Sequence, residues 1–149
     1  MKIAKKIISL GFLVFWMCLI FSLSHQSGNV SSSESSGIIS YIFTLLFNLF
    51  NLDISMVNHY VEIFHEPIRE LMHLLEYLVL GILLINVLYQ FNFNKNIFVI
   101  AIIFCCIFSI TDEVHQLFIK GRAFQFLDII MDNIGSLIGI FVFKKIKKL

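Results

Sequence analysis

Four apolar runs, at residues 7–23, 71–89, 97–118 and 124–143, dominate this 149-residue sequence and leave it few ways to fold. A helix needs about 20 mostly apolar residues to cross the hydrocarbon core of a bilayer, within a range of about 17–25, and each run meets that length. A backbone exposed to lipid must satisfy its own hydrogen bonds, so each run is read as a helix. Composition agrees, since 58% of residues are hydrophobic and 14% are charged, whereas a soluble domain carries about 25% charge. Mean hydropathy is +0.90. The sequence predicts an all-α integral membrane protein, one domain over residues 1–149 built as a four-transmembrane-helix bundle.

The start, MKIAKK, is basic like a secretory signal, but no small-residue cleavage site precedes Ser24, so the first run is expected to stay as a span. An even number of spans puts both termini on one side. That side collects Lys2, Lys5, Lys6, Lys95, Lys144, Lys145, Lys147 and Lys148, against Arg69, Lys120 and Arg122 on the other. Basic residues mark the cytoplasmic face, so both termini are expected in the cytoplasm. The loop over 25–69 is then extracytoplasmic. Its opening, SLSHQSGNVSSSESSG, reads as linker. Residues 38–51, IISYIFTLLFNLFN, are short for a span and are expected to be interfacial or re-entrant. Val57, Tyr60, Val61, Phe64 and Ile68 recur at helical spacing, the pattern of an amphipathic helix lying on the outer membrane surface. Pro67 is expected to separate that helix from the second span. The loop thus carries short interfacial helices in this reading.

The informative residues are the polar ones inside the spans. His73, Glu76, Tyr77 and Leu80 share one helical face, and Ser109, Asp112, Glu113 and Gln116 repeat the spacing in the third span. Gln125, Asp128, Asp132, Gly135 and Gly139 form a comparable stripe in the fourth. At 1.5 Å of rise per residue, the ionisable members all fall about 5–15 Å inward from the outer ends of their spans. The first span adds Ser22, Ser24, His25 and Gln26 at the rim. An aspartate at a helix centre costs about 2.5–3.5 kcal/mol to insert, so Glu76, Asp112, Glu113, Asp128 and Asp132 together cost on the order of 10 kcal/mol. They must face each other or a wet cleft, with Arg69, Lys120, Arg122 and His73 as available partners. As bundle glue the pairs would be Arg122 with Asp128, and His73 with Asp112 or Glu113. The density of acids favours a functional pocket open to the outside.

Other features carry less. GSLIG, at 135–139, is a small-residue pattern read as intramolecular helix packing ahead of a homodimer face. Cys18, Cys105 and Cys106 lie in apolar runs and read as small hydrophobes. His59 and His65 are expected to be solvated or interfacial, and the phenylalanine excess to face lipid. A net charge of +1 without a basic, aromatic-interleaved patch gives no reason to expect nucleic acid as a partner.

The segments FSLSHQ, RELMHLLEYLVLG (69–81) and TDEVHQLFIKGRAFQFLDIIMDNIGSLIG (111–139) resemble the VanZ-like membrane proteins. The resemblance implies that His73, Glu76, Tyr77, Asp112, Glu113, Gln116, Arg122, Asp128 and Asn133 are the family's polar positions. Glu70 stands where the family tends to have lysine, and Lys120 where a proline commonly precedes the glycine-arginine pair. The resemblance also implies a small multi-pass protein of the bacterial cell membrane with an extracytoplasmic pocket, related to an accessory protein of glycopeptide resistance of the teicoplanin type.

Joined together, these readings make the leading expectation a binding or accessory module. Its pocket residues are Gln26, Arg69, His73, Glu76, Tyr77, Asp112, Glu113, Gln116, Arg122, Asp128, Asp132 and Asn133. Expected partners are membrane lipids and a lipid-linked cell-wall precursor or lipoglycopeptide, with no cofactor and no assigned metal. A metal-assisted lipid-modifying enzyme is the alternative, because the same His and carboxylates are ligand types that a divalent cation accepts. A structural scaffold for another membrane protein is the third class.

Overall fold

The computed structural model describes residues 2–93 and 96–148. The chain runs through α1 (Lys2–Ser24), α2 (Gly28–Leu49), a 3-10 turn at Ile54–Met56, α3 (Val57–Gln90), α4 (Ile97–Gln116) and α5 (Phe126–Lys147). Four helices, within Ile3–Ser24, Ile54–Gln90, Ile97–Gln116 and Phe126–Lys147, are long and apolar enough to cross a membrane. The expected spans are all present. Their outward faces carry Phe12, Phe15, Ile103, Ile107 and Phe141, all exposed, an arrangement that only a lipid surround makes favourable. Tyr77, Leu80, Ile85, Ala101, Cys105 and Ile140 fill the interior.

Helix α3 is the centre of the bundle and lies closest to α5. Gly135 and Gly139 of α5 face the backbone of Leu74 and Leu78 on α3, and Gly81 of α3 faces Ser136. A Cβ at any of the three would collide with a carbonyl, so the small-residue stripe serves packing within the chain, as the sequence indicated. At one end of the bundle Lys6 Nζ sits 5.1 Å from the Phe91 ring and Lys144 Nζ 5.0 Å from Phe98. Those contacts gather the start of α1, the end of α3, the start of α4 and the end of α5 at one end of the bundle. Lys95, assigned to the same end from the sequence, lies outside the described residues.

The loop expectations need correction. Residues 31–36, five serines and Glu34, are not linker: they lie in the first half of α2, and residues 38–49 form its second half rather than a separate short helix. Serine disfavours helix interiors because its hydroxyl competes for backbone groups. Here Ser33 and Ser35 turn their hydroxyls back onto the carbonyls of Val30 and Ser31, both at 2.8 Å, which removes that competition. Nor does Pro67 divide the amphipathic stretch from the second span, because α3 runs through it without a break. At 34 residues α3 is about 51 Å long, well beyond the ~30 Å hydrocarbon core. Its first half projects past the bundle, and α2 packs along it. Phe43 lies 5.9 Å from Tyr60 and 5.5 Å from Phe64, and Phe47 5.4 Å from Tyr60. The apolar stripe assigned to the membrane surface is therefore partly covered by α2, with Val57 buried and Phe64 still exposed, and this tertiary packing overrides the local preference for a break at the proline.

Candidate functional site

The end of the bundle opposite the termini collects the polar side chains of all four spans. Residues 117–125 join α4 to α5, and the connection turns at Gly121, whose φ of +78 is the left-handed region that glycine adopts without strain. Asp112 and Glu113 in the last turns of α4 thereby meet Asp128 and Asp132 in the first turns of α5. Close approach of α3 at Gly135 and Gly139 completes the set with His73.

Internal partners are specific. His73 Nδ1 is 3.3 Å from Asp132 Oδ1, and its Nε2 is 3.8 Å from Asp128 Oδ2. Ser109 donates to Asp132 Oδ2 at 2.7 Å, and Ser24 at the end of α1 donates to Asp112 Oδ2 at 2.6 Å. The backbone N–H of Gln125 donates to Glu113 Oε2 at 2.8 Å. Arg69 reaches Gln125 Oε1 at 2.7 Å, Glu66 at 3.0 Å and Asp128 at 3.7 Å. The pairs thus differ from those expected: His73 takes Asp132 and Asp128 in place of Asp112 or Glu113, and Asp128 takes Arg69 in place of Arg122. The choice follows from the α3–α5 approach, which sets His73 beside α5, while Asp112 of α4 turns to Ser24 of α1.

Arg122 is left with one side-chain bond among the described residues, from Nε to the Gln26 carbonyl at 3.3 Å. Burial, then repulsion from Arg69, lowers its pKa, while a guanidinium stays charged at any ordinary pH. Tyr77 is fully buried, and its hydroxyl has no partner among the described residues. Among the described residues no hydrogen bond reaches Asp112 Oδ1, Glu113 Oε1, Gln116 Oε1 or either Asp128 oxygen, and the Asp128 oxygens meet Arg69 and His73 only at ion-pair distance. So many unmet acceptors in one place are chemically expensive, and water or a ligand donor would relieve them. Asn133 is the exception among the predicted residues. Its amide donates to the Ile129 carbonyl of its own helix at 2.7 Å and joins neither the cluster nor a cavity.

Above the acids lies a cavity of about 210 Å³. Ser24, Gln26, Glu34, Arg69, His73, Glu76, Gln116 and Arg122, with Ser31 and Ser35, form its polar side, and Leu23, Ile38, Ile39, Ile68 and Met72 its apolar side. Helix α2 supplies a wall that the linker expectation for residues 31–36 does not contain. Ser31, Ser35 and Ile39 recur at helical spacing within it, the one local signal that could have revealed the face. Among the described residues, no group of three or more His, Cys, Asp or Glu side chains is arranged to hold a metal ion.

The sequence pattern that defines VanZ/LLP1 proteins matches residues 9–147. The chain belongs to the VanZ/LLP1 family. No curated protein and no solved structure matches it. The VanZ/LLP1 match takes in α1 through α5, so the polar end of the bundle and the α2 wall are both within the family region.

Proposed function

We propose that this VanZ/LLP1 protein is an accessory protein of the bacterial cell membrane whose polar end faces outward and recognises an amphiphilic cell-envelope ligand, a lipid-linked cell-wall precursor or a lipoglycopeptide. In this role it contributes to reduced sensitivity to glycopeptide antibiotics of the teicoplanin type. The observation that carries the reading is the two-sided cavity. Its apolar wall from α2 and α3 suits a hydrocarbon segment, and its polar base suits a head group held at the membrane boundary. Orientation rests on charge, since Lys144, Lys145 and Lys147 lie in the last turn of α5, at the end away from the cavity.

The test is antibiotic susceptibility of cells producing the protein with alanine at His73, Glu76, Asp112 or Arg122, with membrane levels verified by immunoblot. Substitutions at the cavity surface, Glu76 and Arg122, are expected to abolish the protection given by the wild type. Four variants that all protect as well as the wild type would end this reading.

A further inference from the structure

A second cavity of about 150 Å³ adjoins the first, and its lining differs in kind. It lies between the start of α2, the protruding part of α3 and the α4–α5 turn, and it shares Ser31, Ser35, Arg69 and Arg122 with its neighbour. No aspartate or glutamate lines it. The remaining polar lining is Ser32, Gln125 and His65. His65 Nε2 is buried and has no partner among the described residues, and neither has Arg69 Nε. The other His65 nitrogen is 3.5 Å from Glu66, and that carboxylate bridges to Arg69; Asp128 lies behind Arg69 at 3.7 Å, and Glu34 lines the neighbouring cavity, where it accepts from Gln26. Arg122 has no carboxylate within ion-pair distance among the described residues, and its terminal nitrogens make no hydrogen bond there.

The backbone reinforces these side chains. Helix α2 begins at this cleft and Ser27 provides no side-chain cap, so the helix presents its positive end to the cavity. Gly28 donates its N–H to the Lys120 carbonyl at 3.1 Å, fixing the α2 start against the α4–α5 turn. Two guanidiniums are thus held at one cleft over a buried acid cluster, Arg69 anchored by Glu66 and Asp128 and Arg122 without an ion pair among the described residues. Guanidinium forks match the oxygens of phosphate, and two of them with a histidine fit a doubly charged head better than a single carboxylate.

We infer that this acid-free cleft seats the oxyanion head, a phosphate or phosphomonoester, of an amphiphile whose apolar segment continues into the neighbouring cavity. The inference rests on the amphiphile reading above and names the chemistry of the head group. Arg69 and Arg122 hold the oxyanion from two sides, His65 donates from Nε2, and Ile38, Ile39, Ile68 and Met72 take the first carbons of the chain. Glu76, in the polar base of the first cavity, faces the rest of the head group.

Binding to the full-length protein in nanodiscs tests this with three probes: decyl phosphate, inorganic phosphate and decyl maltoside. Decyl phosphate is expected to bind at least tenfold more tightly than either of the others. Arg122→Gln should lose at least tenfold for decyl phosphate and leave decyl maltoside unchanged; His65→Gln, which breaks no described ion pair with α5, should lose several-fold and guards against an Arg122 variant that fails to fold. Equal affinity for decyl phosphate and decyl maltoside, insensitive to Arg122→Gln and His65→Gln, would overturn the oxyanion site while leaving amphiphile recognition standing. Inorganic phosphate binding as tightly as decyl phosphate, and lost in Arg122→Gln, would keep the anion site but reject the amphiphile. No binding of any probe would sink both.

Discussion

Asp112, Glu113, Asp128 and Asp132 lie just beneath Arg69 and Arg122, yet the two layers are built in opposite ways. Each acid has an internal partner: Ser24 for Asp112, the Gln125 N–H for Glu113, Arg69 and His73 for Asp128, and His73 with Ser109 for Asp132. In the cleft above, Arg122 meets only a carbonyl and His65 keeps a bare ring nitrogen. The difference separates two costs that the sequence showed only as one. The acids are expensive to bury, and their expense is met by holding helices α1, α3, α4 and α5 in register. Arg69 is anchored from below by Asp128, whereas the terminal nitrogens of Arg122 and Nε2 of His65 are left without partners among the described residues, so ligand chemistry belongs to the upper layer. Mutations should therefore divide by layer, with stability lost below and binding lost above.

The largest effect should come from Asp132→Ala. It leaves His73 and Ser109 facing an empty site in the protein interior, and removing one member of a buried pair costs about 3–5 kcal/mol. Unfolding of the purified protein in mild detergent should show this loss. A cycle with His73→Ala should reveal coupling of about 0.5–3 kcal/mol, because the two side chains share one contact. Arg122→Ala in the same assay should cost less than about 1 kcal/mol, since a half-exposed cation without an ion pair contributes little. Equal destabilisation by the two changes would erase the distinction between the layers.

A smaller loss is expected at Gly28. Its added Cβ would collide with the Gly121 carbonyl across the cleft, so Gly28→Ala must push α2 away from the α4–α5 turn. Overpacking of this kind costs about 1–3 kcal/mol. Its useful signature is selectivity: protection in the susceptibility assay should fall while the Asp132–His73 coupling is unchanged, because the displaced wall belongs to the upper layer alone. Loss of that coupling in Gly28→Ala would mean that the layers do not respond independently.

Much of the lower layer was legible in the sequence, because a face of a helix is set by spacing and depth by rise. His73 with Glu76, Asp112 with Glu113 and Asp128 with Asp132 could be placed on inward stripes at a common level without coordinates. Their pairings could not, since the choice between Asp132 and Asp112 for His73 depends on how closely Gly135 and Gly139 let α5 approach α3. The upper layer was mostly hidden. Residues 31–36 have poor intrinsic helix propensity, and α2 exists because Phe43 and Phe47 pack on Tyr60 and Phe64, a contact between segments that local patterning does not contain. The same contact carries α3 through Pro67, where the rule for an isolated helix predicts a break. His65 was set aside as solvated for the same reason, since its cleft appears only when α2 folds back beside it.

Asn133 offers the finest test, because the family resemblance and the structure disagree about it. Resemblance places it among the polar positions of the site, whereas its amide is spent on the Ile129 carbonyl and its backbone carbonyl accepts from Ser136. A side chain bonded only within its own helix supports neither layer directly. Asn133→Ala should shift stability by no more than about 0.5 kcal/mol, the range of changes away from core, cap and buried pair. Antibiotic protection and decyl phosphate affinity should match the wild type. A variant that folds normally yet loses protection would show that Asn133 acts on a ligand or partner reached from outside the two layers, and the boundary drawn here between structural acids and binding cations would have to move along α5 to include it.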